Sequence, residues 1–290
     1  MRSTENQKNT NVAEKQPIKE KKTSTKSAGK KPRKQNEKEI MNEYLQQQQQ
    51  NEEDISTASA MQTNYQYFSL KDKTKIDDKF TKPKNPHQEE LVKSLKNKNK
   101  KIIFITGPAG TGKTLFATEY GIHNFITGVY EKLVFTRPSV SVDEELGFLP
   151  GTLEEKMAPW IRPIYDVLYN FISPKEVQAL NEEKLIEIAP LGFMRGRTFK
   201  NTWIVADEMQ NCTVSQMKML LTRLGENSRL IITGDLEQYD RPNEQNGLED
   251  FLGRFKDKKS SSIMSFKFEK NDIQREEVVK EVLNIYENIT

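Results

Sequence analysis

The sequence predicts an α/β domain, a mainly parallel sheet flanked by helices, behind a disordered N-terminal tail. Three observations carry that expectation. From Pro83 onward, short β-branched apolar runs alternate with helical patterns, the signature of βαβ units. A glycine-rich loop, Gly107 to Thr114, joins the first of these runs to a helical pattern. Two later runs end in carboxylates, and a parallel sheet gathers such strand tips at one edge.

The tail comes first in the chain. Residues 1 to about 80 are rich in Lys, Gln, Asn, Ser and Thr, with a glutamine run from Gln46 to Gln50. Such a stretch buries too little apolar surface to offset the entropy of ordering, and disorder is expected. Only Tyr65 to Leu70 has the apolar content to dock as a short extended segment. The net charge of the 290 residues is +3, but it is unevenly spread. Met1 to Lys38 carries 12 basic and 4 acidic residues, Glu39 to Phe80 carries 4 and 8, and the rest is close to neutral. The basic segment therefore reads as a mobile arm able to meet a polyanion, and the near-neutral domain behind it would have to bind any nucleic acid through a few placed arginines.

Strands are expected at Lys101–Thr106, Lys132–Thr136, Leu185–Ala189, Thr202–Ala206, Arg229–Thr233 and Ile263–Phe268. Helices are expected at Lys113–Ile126, Leu153–Phe171, Val214–Leu224, Gly247–Phe255 and Ile273–Glu287. Phe148 to Phe193, richer in Pro and aromatics, reads as an elaboration near the ligand edge of the sheet. About 210 residues suffice for one such domain, 81–290. The single cysteine, Cys212, excludes an internal disulfide or a Cys-rich metal site. No apolar run has the length of a membrane span, and no apolar segment follows the first residues as in a secretory signal. A cytoplasmic protein without membrane contact is expected.

The loop Gly107-Pro108-Ala109-Gly110-Thr111-Gly112-Lys113-Thr114 is a complete G-x-x-x-x-G-K-[ST] pattern between a strand and a helix. Its glycines let backbone N–H groups turn inward around phosphates, and the helix adds the positive end of its dipole. Lys113 would neutralise phosphate charge and the Thr114 hydroxyl would ligate Mg²⁺. Trp203 to Ala206 leads to Asp207, placed to hold the metal, and to Glu208, placed to polarise an attacking water. Leu230 to Thr233 leads to Gly234, Asp235 and Gln238, and Gln238 is expected at the γ-phosphate or the water. Together these residues imply nucleotide binding with hydrolysis.

Further blocks accompany them: Gln88 before the first strand, Phe135-Thr-Arg-Pro138, Leu146 to Trp160, Gly192 to Arg197, Ala206 to Asn211 and Thr233 to Gln238. The set resembles the PhoH family of P-loop ATPases, related to superfamily 1 helicases, over residues 83 to 290. The resemblance implies a RecA-like domain, ATP and Mg²⁺ as cofactors, and RNA or another single-stranded nucleic acid as partner. It places Gln88 against adenine and matches Asp207 and Glu208 to the metal and water-activating carboxylates. Arg275, in Phe268 to Arg275, matches an arginine that stabilises the transferring phosphoryl group. The family segment continues with His-Pro, whereas Glu276 and Glu277 follow here.

Superfamily 1 helicases close their ATP site with a second RecA-like domain, and 52 residues after Gln238 cannot supply one. A ring-like homo-oligomer, a hexamer, is therefore expected, with Arg275 reaching across. The resemblance, whose family includes fused nuclease versions, makes a ribonuclease a candidate partner; the tail has neither the acidic cluster nor the core of a nuclease, and no nuclease activity is expected in this chain. Arg137, Arg162, Arg195 and Arg197 are candidates for a nucleic-acid backbone or a neighbouring subunit, against the alternative of solvated charges and ion pairs. Trp160 and Tyr165 either stack on bases or belong to the core. Two rival functions stand beside hydrolysis: a P-loop kinase with a small acceptor, and an RNA-binding adaptor with structural nucleotide.

Overall fold

The computed structural model of the protein describes residues 79–138, 153–240 and 244–287. Tyr65 to Leu70 and most of the tail lie outside the described residues, as does the first half of the Leu146 to Trp160 block. Helix α1 (Pro86–Lys96) starts where Asn85 caps the Gln88 N–H and Pro86 occupies the first turn. Strand β1 (Ile102–Thr106) follows, then α2 (Lys113–Ile126), β2 (Lys132–Arg137) and α3 (Leu153–Phe171). Helix α4 (Pro174–Glu182) is set by a reciprocal capping box between Ser173 and Glu176 and leads to β3 (Ile186–Pro190). Strand β4 (Thr202–Ala206) leads to α5 (Val214–Leu221), opened by a second box of Thr213 with Gln216. The chain ends with β5 (Arg229–Gly234), α6 (Gly247–Phe255), β6 (Ile263–Lys267) and α7 (Glu277–Glu287).

The six strands form one sheet in the order β3-β2-β4-β5-β1-β6, and every pairing is parallel. The α/β expectation holds, and the sheet is wholly parallel. The interiors of the four inner strands are buried on both faces, β4 and β5 along their whole length, as helices on both sides require. One core joins Ile103, Phe116, Phe125, Phe135, Trp203 and Ile231 to Leu168, Ile172, Val177 and Leu180 from α3 and α4. Those two helices thus pack into the body of the domain, where the sequence suggested an elaboration at its edge. Tyr165 is partly buried against that core, accepts a hydrogen bond from Asn181 Nδ2 (2.8 Å) and stacks on Tyr169.

Two additional helices and two shifted helix boundaries depart from expectation. Helices α1 and α4 had no counterpart in the sequence reading. Helix α5 stops at Leu221, because the chain turns there to bring Arg223 O within 2.9 Å of Phe199 N–H. The last helix starts at Glu277, four residues later than the pattern suggests, since Lys270–Asp272 form a 3₁₀ turn and Ile273 is extended. No helix among the described residues is long and apolar enough to cross a membrane.

Candidate active site

The sheet order puts the tips of β4, β5, β1 and β6 side by side, and every candidate catalytic residue follows one of those tips. The loop leaving β1 is anchored on one side by Gly107 N–H donating to Gly234 O (3.3 Å). On the other side Phe268 N–H donates to Thr106 O (2.8 Å). Within the loop Thr111 Oγ1 donates to Pro108 O (2.9 Å). Gly112, left-handed at φ +90°, caps α2 without a side chain, so the first N–H groups of that helix are open to an anion.

Lys113 is buried, and its ammonium donates to Gly107 O (2.6 Å) and Pro108 O (2.8 Å). Those carbonyls hold it over the loop, where phosphate oxygens would take their place. Burial pulls its pKa below the usual lysine value; the Asp235, Glu208 and Asp207 carboxylates oppose that shift, and Arg275 adds to it. The Thr114 hydroxyl donates to Asp207 Oδ1 (2.7 Å), and the Thr233 hydroxyl donates to the same oxygen. Two hydroxyls and a carboxylate are hard oxygen donors of the kind Mg²⁺ takes alongside phosphates and water. Among the described residues no group of three or more His, Cys, Asp or Glu side chains converges, so a metal held only by such residues is not built here.

Glu208 has a left-handed backbone (φ +53°), which turns the chain sharply off β4. Its carboxylate accepts from Gln210 Nε2 (2.6 Å). A cavity of about 260 Å³ opens here, lined by Gly110, Lys113, Thr114, Asp207, Glu208 and Gln238 among others. The six expected residues thus converge. A larger cavity, about 500 Å³, lies at the opposite edge of the sheet beside Lys96, Lys101, Tyr130 and Arg229. It holds neither the loop nor the carboxylate pair, and size alone does not locate the chemistry.

Gln88 and the segment carrying Arg275 both lie against the phosphate loop. Gln88 is buried; its Oε1 accepts from Lys84 N–H (2.8 Å) and its Nε2 donates to Thr111 O (3.0 Å). Its amide therefore braces the phosphate loop in this structure instead of lying open to a base. Arg275 lies beside the phosphate loop of its own chain. Because β6 runs parallel to β1, the chain beyond it passes the chain's own loop, and Gln274 N–H donates to Gly110 O (2.9 Å). A Cβ on Gly110 would stand 2.6 Å from Arg275 Nε, and Gly110 has φ +84°. The positive φ is what requires glycine there, since the Arg275 side chain can give way.

The remaining arginines do not line the cavity. Arg137 ends β2, half-buried, while Arg162 and Arg195 are exposed. Arg197 pairs with Glu187 through both terminal nitrogens (2.5 and 2.7 Å) and lies over the Phe199 ring, the ion-pair alternative. Trp160 falls where no side chain is described. Sequence reasoning passed over Thr233, which shares the Asp207 oxygen, and Gln210, which holds Glu208. Both are polar residues that the fold buries at strand tips; each stands inside a block of the family resemblance, which was the signal that could have found them.

A family profile, PhoH-like protein, matches residues 80–287. The chain is 39% identical over 209 residues to a PhoH-like protein of Synechocystis sp., covering 72% of this chain and 62% of that one. It is 40% identical over 211 residues to one of Bacillus subtilis (72% and 65%), and 39% over 216 to Protein PhoH of Escherichia coli (72% and 60%). The chain thus spans about three fifths of the length of the curated relatives it matches. Solved structures with a related backbone include a Pyrococcus furiosus Hef helicase domain, 14% identical with TM-score 0.39 over 64% of this chain and 38% of that one. Pif1 helicase from Candida albicans is another, 14% identical with TM-score 0.35 over 69% and 43%. With the profile running from the residue before Thr81 to the end of α7, and the phosphate loop and both carboxylate tips inside it, the chain belongs to the PhoH family.

Proposed function

We propose that the protein is a Mg²⁺-dependent ATP hydrolase. The observation that carries this reading is the convergence of Lys113, the Thr114–Asp207 pair, Glu208 and Gln238 on one cavity. Mg²⁺, when bound, would draw charge from the β- and γ-phosphate oxygens. Lys113 exchanges its two carbonyl partners for phosphate oxygens, and the open N–H groups of α2 add to the cradle. Thr114 and Asp207, already paired through the Thr114 hydroxyl, are the residues that would hold the metal. Glu208 orients a water in line with the γ-phosphorus and accepts its proton as the new P–O bond forms. The bond to the bridging oxygen then breaks and ADP leaves. Arg275, in cis beside Gly110, stabilises the charge on the departing phosphate groups.

The test is phosphate release with ATP and Mg²⁺ and no added acceptor. Glu208→Gln is expected to bind ATP and to turn it over at least about 100-fold more slowly. Equal turnover in that variant removes the assigned role. Phosphate release only with an added acceptor points to a kinase, and none under any condition to an adaptor.

Coupling to RNA rests on the +8 segment Met1 to Lys38 and on Arg137 at the strand tips. It predicts RNA-stimulated turnover that weakens steeply with salt. A neighbouring copy is the proposed source of the second wall of the site, without Arg275, which serves its own loop. Sedimentation of a fully active monomer would remove that wall.

A further inference from the structure

We infer that Gln210 is a positioning residue for hydrolysis, tying the water-activating carboxylate to the loop expected to sense the γ-phosphate. The inference rests on the hydrolase reading above. Gln210 is 1% exposed and sits between the tips of β4 and β5. Its Nε2 donates to Glu208 Oε2 (2.6 Å) and to Gln238 O (3.2 Å), while its Oε1 accepts from Asp235 N–H (3.1 Å). Both amide hydrogens and one oxygen lone pair are thus used on three residues from two elements. The amide can point only one way, because a flip would set its oxygen against a carboxylate and a carbonyl.

Three features separate this from a buried amide that merely has its hydrogen bonds satisfied. First, among the described residues Gln210 is the only hydrogen-bond partner of the Glu208 carboxylate, so it alone fixes where that carboxylate points. Second, room is made for it: a Cβ on Gly234 would stand 2.9 Å from Gln210 Oε1. Third, the next residue repeats the link. Asn211 Nδ2 donates to Asp240 Oδ2 and Asn211 Oδ1 accepts from Asp240 N–H, both at 3.0 Å. Two consecutive amides therefore stitch the turn after β4 to both ends of the Asp235 to Asp240 loop. A shift of Gln238 toward a γ-phosphate moves the carbonyl that Gln210 holds, and through it the Glu208 carboxylate. The base is aimed when the loop is in place.

A double-mutant cycle on the full chain tests this. Gln210→Met, close in volume without the hydrogen bonds, is expected to lower kcat about 10- to 100-fold. KM for ATP should stay within about threefold and thermal stability should be little changed. In a Glu208→Gln background the same substitution should cost nothing further, because its effect runs through Glu208. If Gln210→Met does not fold, Gln210→Glu replaces it, keeping the size and the acceptor for Asp235 N–H. Unchanged kcat in an active protein, or the same fold-loss in both backgrounds, overturns the inference and leaves the hydrolase reading standing. A wild-type chain that releases no phosphate sinks both.

Discussion

Two cations are buried at opposite ends of the sheet, and they serve different purposes. Lys113 sits at the strand tips and Arg229 at the start of β5, and burial disfavours the charge of each. Both donate to backbone carbonyls: Lys113 to Gly107 and Pro108, Arg229 to Leu95 O (2.6 Å), Ser94 O (3.0 Å) and Asn97 O (3.0 Å). The carbonyls around Arg229 belong to the last turn of α1 and to its cap residue Asn97, and its guanidinium lies over the Trp203 ring. It finishes a helix. Those around Lys113 belong to a loop whose N–H groups still face outward, with Asp207, Glu208 and Asp235 close enough to act on its pKa. A buried cation is therefore not itself a mark of function; partners that a ligand can replace are.

The strongest way to break that contrast is a reciprocal substitution. Lys113→Ala is expected to lower ATP turnover at least about 100-fold with little loss of stability. Arg229→Met should do the reverse, costing about 2 to 4 kcal/mol of unfolding free energy while kcat per folded molecule holds. Turnover and urea unfolding on both proteins decide it; a turnover defect in folded Arg229→Met would mean the two ends are coupled. Gly110→Ala comes next, with strain of about 1 to 2 kcal/mol from its positive φ. Nucleotide affinity is expected to fall about tenfold, consistent with that cost. Adding Arg275→Ala should not restore it, since the clash with a flexible side chain is the lesser part.

The smallest effect concerns α1, which joins the two ends. At its start His87 Nδ1 is paired with the buried Asp272 (2.7 Å), while Arg229 closes its end. The hydrogen bond to Asp272, then its charge, raises the His87 pKa above the ordinary 6.5. Protonated His87 therefore favours the fold fully below that ordinary value, and the contribution fades as pH rises through the raised one. Thermal midpoints should drift slightly downward across that window, and His87→Asn should remove the drift.

What could be read from the sequence was whatever the chain writes locally. The phosphate loop is eight consecutive residues, and Asp207 and Glu208 end an unbroken apolar run, so both were visible at once. Gln210 was not, because its partners Asp235 and Gln238 become neighbours only when β4 pairs with β5. Arg275 was recognisable as an arginine of the site, yet its side of the site depends on β6 lying beside β1. Helix α1 was missed although Asn85 and Pro86 signal its start. Its apolar positions, Leu91, Val92 and Leu95, are too few to show a period among lysines and glutamates.

The strand that carries the phosphate loop emerges first from the ribosome and must wait for its neighbours. Ile102 lies opposite Leu230 on one side and Ile263 on the other, so neither partner exists until about 130 further residues have been made. Until then an Ile-Ile-Phe-Ile edge has no strand to pair with. Contacts so distant in sequence form slowly, and an unpaired apolar edge invites association with other chains. The arrangement that brings the loop between two strand tips also leaves that strand's edges open while the chain is being made.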